Sequence, residues 1–67
     1  MQVPDELMKK WQALRTHGDG RKIAEQNPGI TEMDISRAFT QGECRDDVFE
    51  SIADFYKEKE LKVKEYL

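Results

Sequence analysis

The chain has 67 residues, of which 37% are hydrophobic and 37% are charged, and its formal net charge is −3. A chain this short forms one domain (1–67) and buries only about 60% of the surface that its unfolded form exposes, so we expect marginal stability. The single cysteine, Cys44, excludes an intramolecular disulfide and offers no metal-site spacing. No charged-then-apolar leader and no run of about 18 apolar residues is present, so we expect a cytoplasmic protein without a membrane partner.

Charge is distributed unevenly along the chain. From Lys9 to Lys22 there are five cations and one anion, whereas from Arg45 to Leu67 there are five cations and seven anions. The negative total argues mildly against a nucleic-acid binder. The basic first half nevertheless permits phosphate binding at that end of the molecule.

Apolar residues at helical spacing predict a first helix in VPDELMKKWQALRTHG. Leu7, Trp11 and Leu14 recur at steps of four and three residues and share one face. The two glycines that follow, Gly18 and Gly20, are expected to end this helix.

A short second helix, RKIAEQ, and a third helix are predicted on either side of a sharp turn. Pro28 disfavours helical geometry at the residue before it, and Gly29 can adopt the positive φ that a reversal needs. The third helix is expected to begin with a capping box between Thr31 and Asp34 and to end near Gln41, with Gly42 as its C-cap.

The segment RDDVFESIADFYKEKELKVKEYL predicts a long C-terminal helix at about 45–67. Its first half has a wide apolar face, whereas the part beyond Tyr56 has few apolar residues and either projects, frays or contacts a partner. The predicted fold is therefore all-α, a compact bundle of about four helices that contains a helix-turn-helix at about 20–42. The second and third helices are expected to cross at Ala24. The predicted core is a single cluster that consists of Trp11, Leu14, Ile23, Ile35, Phe39, Ile52 and Phe55.

The second and third helices meet the structural requirements of a helix-turn-helix. Such a unit needs a small residue at the helix crossing, a glycine in the turn and apolar anchors, so that its second helix can enter a major groove roughly 12 Å wide. Ala24 and Gly29 satisfy the first two requirements. The anchors are Ile30, Ile35 and Ala38.

These residues resemble the helix-turn-helix of Cro- and lambda-repressor-type regulators, the Xre family. Ile23-Ala24, Gly29-Ile30-Thr31, Ile35-Ser36-Arg37 and Gly42 follow the pattern IA, GIS, ISR and G that is frequent in its members. The later stretch VFESIADFY is similar to a helix that packs behind the motif in that family. The resemblance covers roughly residues 5–56, and it implies binding of double-stranded DNA as a homodimer.

The chain departs from the family pattern in two respects. The turn between Ala24 and Ile30 is one residue longer, and the third helix has two acids, Glu32 and Asp34, which phosphates repel. One acid is compatible with DNA, because a carboxylate can accept a hydrogen bond from the amino group of cytosine.

The candidate DNA contacts fall into two groups. Arg37 is the leading base-reading residue, because arginine pairs bidentately with guanine; the alternative is an ion pair with Asp34 or solvent exposure beside Met33. Thr31 can act as a cap, a contact or both, and the basic residues can alternatively be ordinary solvated side chains. The expected base contacts are Thr31, Glu32, Met33, Ser36, Arg37 and Thr40, and the expected phosphate contacts are Lys9, Lys10, Arg21 and Lys22.

No pattern of catalytic or metal-binding residues is present in the sequence. His17 lacks a partner at ligand spacing and Cys44 lacks a local base, so we expect no enzyme, metal, cofactor or small-molecule substrate. The leading hypothesis is a small sequence-specific transcriptional regulator of the Cro or repressor type, of the kind that phages and mobile elements encode. It is expected to dimerise, with the C-terminal helix as a candidate interface. The alternative is a protein-interaction module, such as an antirepressor or a DNA-mimicking inhibitor, that uses its acidic surface.

Overall fold

The computed structural model describes residues 1–65 and confirms the predicted all-α bundle. Four helices follow in chain order: α1 (Asp5–Leu14), α2 (Asp19–Gln26), α3 (Glu32–Gln41) and α4 (Asp46–Glu65). The described residues form no strand, and one isolated antiparallel bridge joins Gln2 to Glu43. The final residues of the predicted C-terminal helix, 66–67, lie outside the described part of the chain.

Helix α2 begins earlier than the sequence predicts. Gly18 adopts a left-handed conformation (φ 88°) directly before the helix, so the chain reverses there and Asp19 is already helical. Gly20, which was expected to end the first helix, lies inside α2. A methyl group at Gly20 would meet Cγ2 of Ile35 at 3.9 Å, so α2 and α3 approach each other near this glycine.

The predicted bounds and caps of α3 are confirmed. The Asp34 N–H donates to Oγ1 of Thr31 at 3.2 Å, and the Thr31 N–H donates to Oδ2 of Asp34 at 3.1 Å. At the other end Gly42 has φ 71°, and its N–H donates to the Ala38 carbonyl at 3.1 Å. These reciprocal bonds satisfy backbone groups that a helix otherwise leaves free at its ends, so α3 has defined limits.

The core forms largely as predicted. Trp11, Ile23, Ile35 and Ile52 are buried together. Leu14, Phe39 and Phe55 were expected in the same cluster, but they are only partly buried at its edge, as is Ala24 at the helix crossing. The remaining buried apolar residues are Val3, Ile30, Ala38, Val48 and Tyr56.

The N-terminal segment is paired with the loop that follows α3. The Val3 N–H donates to the Gly42 carbonyl at 2.8 Å, and the Cys44 N–H donates to the Met1 carbonyl at 3.0 Å. The terminal ammonium group donates in turn to the Cys44 carbonyl at 2.7 Å. These contacts brace the C-terminal end of α3 against the start of the chain, and the side chain of Val3 is buried beneath them.

The second half of α4 stays in contact with the bundle further than its apolar pattern suggests. Lys59 and Glu60 are partly buried, whereas Leu61 and Val63 are 56% and 44% exposed. Contact between α4 and the rest of the chain therefore continues for a full turn beyond Tyr56. None of the helices in the described range has the length and apolarity that a bilayer-spanning segment requires.

Candidate nucleic-acid interface

Helix α3 has one face in the core and the other in solvent. Ile35 and Ala38 are 1% and 0% exposed, so they fix the rotation of the helix about its axis. The six predicted base-contacting residues are all exposed and lie at the N-terminus of α3 or along its solvent side. We call this set the outer face of α3: Thr31, Glu32, Met33, Ser36, Arg37 and Thr40.

Arg37 lies on the outer face without an acidic partner. Within the described residues it forms no salt bridge, and its Nη2 lies 3.9 Å from Sδ of Met33. Of the two alternatives to a base contact, the ion pair with Asp34 does not form, since Asp34 pairs with Arg45 at 3.3 Å, whereas solvent exposure beside Met33 is what the structure shows. The guanidinium N–H donors of Arg37 therefore face solvent.

Asp34 is turned to the edge of α3 that is nearest the start of α4. Its Oδ2 accepts hydrogen bonds from the Thr31 N–H and from Nη2 of Arg45, and Arg45 also donates to the Gly29 carbonyl at 3.4 Å. The bond from the Thr31 backbone is the main cause that holds the pKa of Asp34 below its ordinary value, and the charge of Arg45 adds to it. One of the two acids of the predicted reading helix is thus compensated within the chain.

Glu32 is exposed at the first turn of α3, next to the side of α2. It shares a shallow depression with Arg21, Ala24 and Glu25. Nε of Arg21 lies 3.4 Å from Oε1 of Glu25, one turn along α2. Both groups are well exposed, so this ion pair is weak and can exchange for another anion.

The four predicted phosphate contacts do not form one patch. Arg21 borders α3, whereas Lys22 lines a groove between α2 and α4. Lys10 lines a different groove, between α1 and α4, where its Nζ lies 2.9 Å from Oε2 of Glu60. Lys9 is exposed on α1. Of these four side chains, Arg21 is the one that the fold places beside the outer face of α3.

A buried carboxylate holds the helix-turn-helix against α4. Asp19, at the first position of α2, is 2% exposed. Its Oδ2 accepts hydrogen bonds from the Thr16 N–H at 2.8 Å, the Tyr56 hydroxyl at 3.1 Å and Nζ of Lys59 at 2.8 Å. Its Oδ1 accepts a bond from the Thr16 hydroxyl at 2.9 Å. We call these four residues the Asp19 cluster: Thr16, Asp19, Tyr56 and Lys59.

The Asp19 cluster keeps its carboxylate ionised. Burial raises the pKa of Asp19, but the hydrogen bonds from Lys59 and Thr16 outweigh burial, so the pKa lies below its ordinary value. Burial, together with the neighbouring Asp19 charge, raises the pKa of the Tyr56 phenol. The cluster is therefore a structural anion with donors around it, and it fixes the start of α2 relative to α4.

Sequence reasoning missed this cluster. Asp19 was counted only as a lone anion between two glycines, and its partners on α4 are 37 and 40 residues away. Lys59 follows Tyr56 by three residues, so helical spacing places both on one side of α4. That spacing was the only signal in the sequence, and it does not identify the acid that they contact.

Two further residues have chemistry that the fold restricts. His17 is exposed, and no group of three His, Cys, Asp or Glu side chains in the described range could hold a metal ion. Burial raises the pKa of the Cys44 thiol, which disfavours the thiolate that a nucleophilic cysteine requires.

Comparisons of the chain with protein-family models, with curated proteins and with solved structures find no significant match.

Proposed function

We propose that the protein is a small sequence-specific regulator that binds double-stranded DNA, with α3 in the major groove. The observation that carries the proposal is the outer face of α3, an exposed surface on a helix whose two ends are capped and whose rotation is fixed by the burial of Ile35 and Ala38. Arg37 is central to it, because its guanidinium is exposed and has no acidic partner within the described residues.

The dimensions and chemistry of α3 suit this role. A helix with its side chains is about 10–12 Å in diameter, so α3 fits a major groove about 12 Å wide, and its 10 residues extend about 15 Å, far enough to reach several base pairs. Arg37 can donate two parallel hydrogen bonds to guanine, and Met33 can contact the methyl group of thymine. The Thr40 hydroxyl donates to the Ser36 carbonyl at 2.8 Å, so its oxygen remains free to accept a bond from a base.

Compensation of Asp34 by Arg45 supports the proposal, because it reduces the repulsion that two acids on α3 would exert on phosphates. Arg21 is the best placed of the expected phosphate contacts, and its weak pair with Glu25 can exchange for a phosphate. Lys9 and Lys22 then contribute to the electrostatic attraction of the domain rather than to one site, whereas the charge of Lys10 is compensated by Glu60. We further propose a homodimer on DNA, since a two-fold dimer matches a pseudo-palindromic site.

The test begins with selection of bound duplexes from a random-sequence library at low salt. Arg37→Ala should bind the selected duplex more weakly and lose discrimination, by about 1–3 kcal/mol at one base position. Arg37→Lys should retain the charge-dependent affinity but lose the same discrimination, because lysine lacks the planar fork. Lys57→Ala, a change at an exposed residue of α4 that forms no ion pair within the described residues, is the matched control and should bind like the unmodified chain.

A second function is favoured by one observation. One of the cations that border α3, Arg21, already has a carboxylate partner, and the chain as a whole has a net charge of −3. This charge distribution suits a protein-interaction module that presents Glu25 and Glu32 to a basic partner, such as the DNA-binding surface of another protein. This second function would be favoured if selection enriches no duplex and if any residual binding of the chain to DNA does not weaken as salt rises.

A further inference from the structure

Arg15 is a cation beside α3 that the sequence analysis did not assign to any role. It follows the last residue of α1, one turn after Trp11, and its guanidinium carbon lies 4.4 Å from the centroid of the Phe39 ring. The Trp11 and Phe39 rings are themselves in edge contact, with centroids 6.2 Å apart. The position of Arg15 is therefore set by aromatic packing between α1 and α3.

Helical spacing places this guanidinium at an edge of the outer face of α3. Phe39 follows Ser36 by three residues, and side chains at that spacing are neighbours on a helix surface. Asp34, with its partner Arg45, lies at the other edge. The outer face of α3 thus lies between two arginines, of which Arg45 is neutralised by Asp34 and Arg15 is not.

Contact with the Phe39 ring leaves the hydrogen-bonding capacity of Arg15 free. A guanidinium that lies over an aromatic ring uses its face, while its five N–H donors point outwards in the plane of the group. Within the described residues Arg15 forms no salt bridge, in contrast to Lys10, Arg21 and Arg45. It is also exposed to solvent.

We propose that Arg15 is a phosphate contact, held over Phe39 so that it binds the DNA backbone along one wall of the groove that α3 enters. This inference rests on the proposed function and adds a specific residue to it. Arginine suits the role because its planar fork matches two phosphate oxygens. Contact with the ring already restricts the conformations of this long side chain, so less conformational entropy is lost when it binds a phosphate.

The experiment compares Arg15→Met, Arg15→Lys and the control Lys57→Met for binding to a selected duplex as salt is varied. Methionine still covers Phe39 but has no charge, so a purely structural role for Arg15 predicts no change in the salt dependence. We expect Arg15→Met to reduce the slope of log affinity against log salt by about one. The ratio of the affinity of the unmodified chain to that of Arg15→Met should then fall about 3.5-fold between 50 and 200 mM salt, because each phosphate contact contributes about 0.9 to the slope.

Arg15→Lys and Lys57→Met should both retain the slope of the unmodified chain. An unchanged slope in Arg15→Met, while the unmodified chain binds DNA with a clear salt dependence, would overturn this inference and leave the proposed function intact. Absence of salt-dependent binding by the unmodified chain would instead remove both. If methionine at this position prevents folding, Arg15→Gln removes the same charge with a polar side chain and gives the same comparison.

Discussion

Replacement of Asp19 by asparagine removes the charge at the centre of the Asp19 cluster with almost no change in shape. The asparagine oxygen can still accept bonds where Oδ2 accepts three now, but the bond from Lys59 is then no longer between two charged groups. Hydrogen bonds to charged groups contribute about 1.5–3 kcal/mol each. We therefore expect Asp19→Asn to lower the free energy of unfolding by about 1.5–3 kcal/mol.

That loss is large for a chain of this size. At about 0.05–0.15 kcal/mol per residue, the whole domain is stable by only about 3–10 kcal/mol. Asp19→Ala should cost more, about 3–5 kcal/mol, because it leaves the buried Tyr56 hydroxyl and the Lys59 ammonium without their acceptor. If the stability of the domain lies at the lower end of that range, most of the Asp19→Ala chains should be unfolded at room temperature.

The assay is urea denaturation followed by fluorescence of Trp11, which is the only tryptophan and is 2% exposed in the fold. Asp54→Asn makes the same chemical change at an exposed site on α4 and serves as the control. The pKa of Asp19 is depressed on folding, so its contribution is fully present above the ordinary value of 3.8 and is lost as the pH falls through the lower folded value. The difference in free energy of unfolding between the unmodified chain and Asp19→Asn should decrease below about pH 4. An Asp19→Asn chain as stable as Asp54→Asn at neutral pH would refute this reasoning.

Three further outcomes follow from the fold. Thr31→Ala removes the side-chain half of the capping box, so it should lower the free energy of unfolding by about 1 kcal/mol in urea denaturation, and no change would mean that the cap is dispensable. Gly20→Ala should raise it by about 0.4–1 kcal/mol, because Gly20 is helical and an added methyl group meets Ile35 at an ordinary contact distance; a loss of stability would contradict the α2–α3 spacing. A chain that ends at Glu60 keeps the contacts of Lys59 and the ion pair between Lys10 and Glu60 but lacks 61–67, so sedimentation with the selected duplex should find it less associated than the full chain; equal masses for both would exclude the tail from dimerisation.

Sequence reasoning located α3 because the signals that define this helix are local. The capping box joins residues three apart, and Gly42 ends the helix one residue after Gln41. The outer face follows from the same periodicity, since the burial of Ile35 and Ala38 fixes which side chains point outwards. These features depend on neighbours within one or two turns, so a single sequence is enough to predict them.

Tertiary partners could not be predicted in the same way. Lys10 was assigned to phosphate from its position in a basic stretch, but its ion pair with Glu60 depends on how α1 packs on α4. Arg15 was given no role, because its place over Phe39 depends on the approach of α1 to α3. The pairing of Val3 with Gly42 likewise joins segments that no periodic pattern connects. The resemblance to Cro- and repressor-type regulators remains a prediction that rests on the motif.

The central claim, that the outer face of α3 contacts DNA, is tested most directly by two-dimensional amide NMR of the labelled chain during titration with a selected duplex. We expect the largest shifts at residues 31–41, with further shifts at Arg15 and Arg21. Scrambled duplex at the same salt should give smaller shifts over the same residues. Shifts confined to the groove between α1 and α4, or a spectrum that DNA leaves unchanged at low salt, would contradict the account.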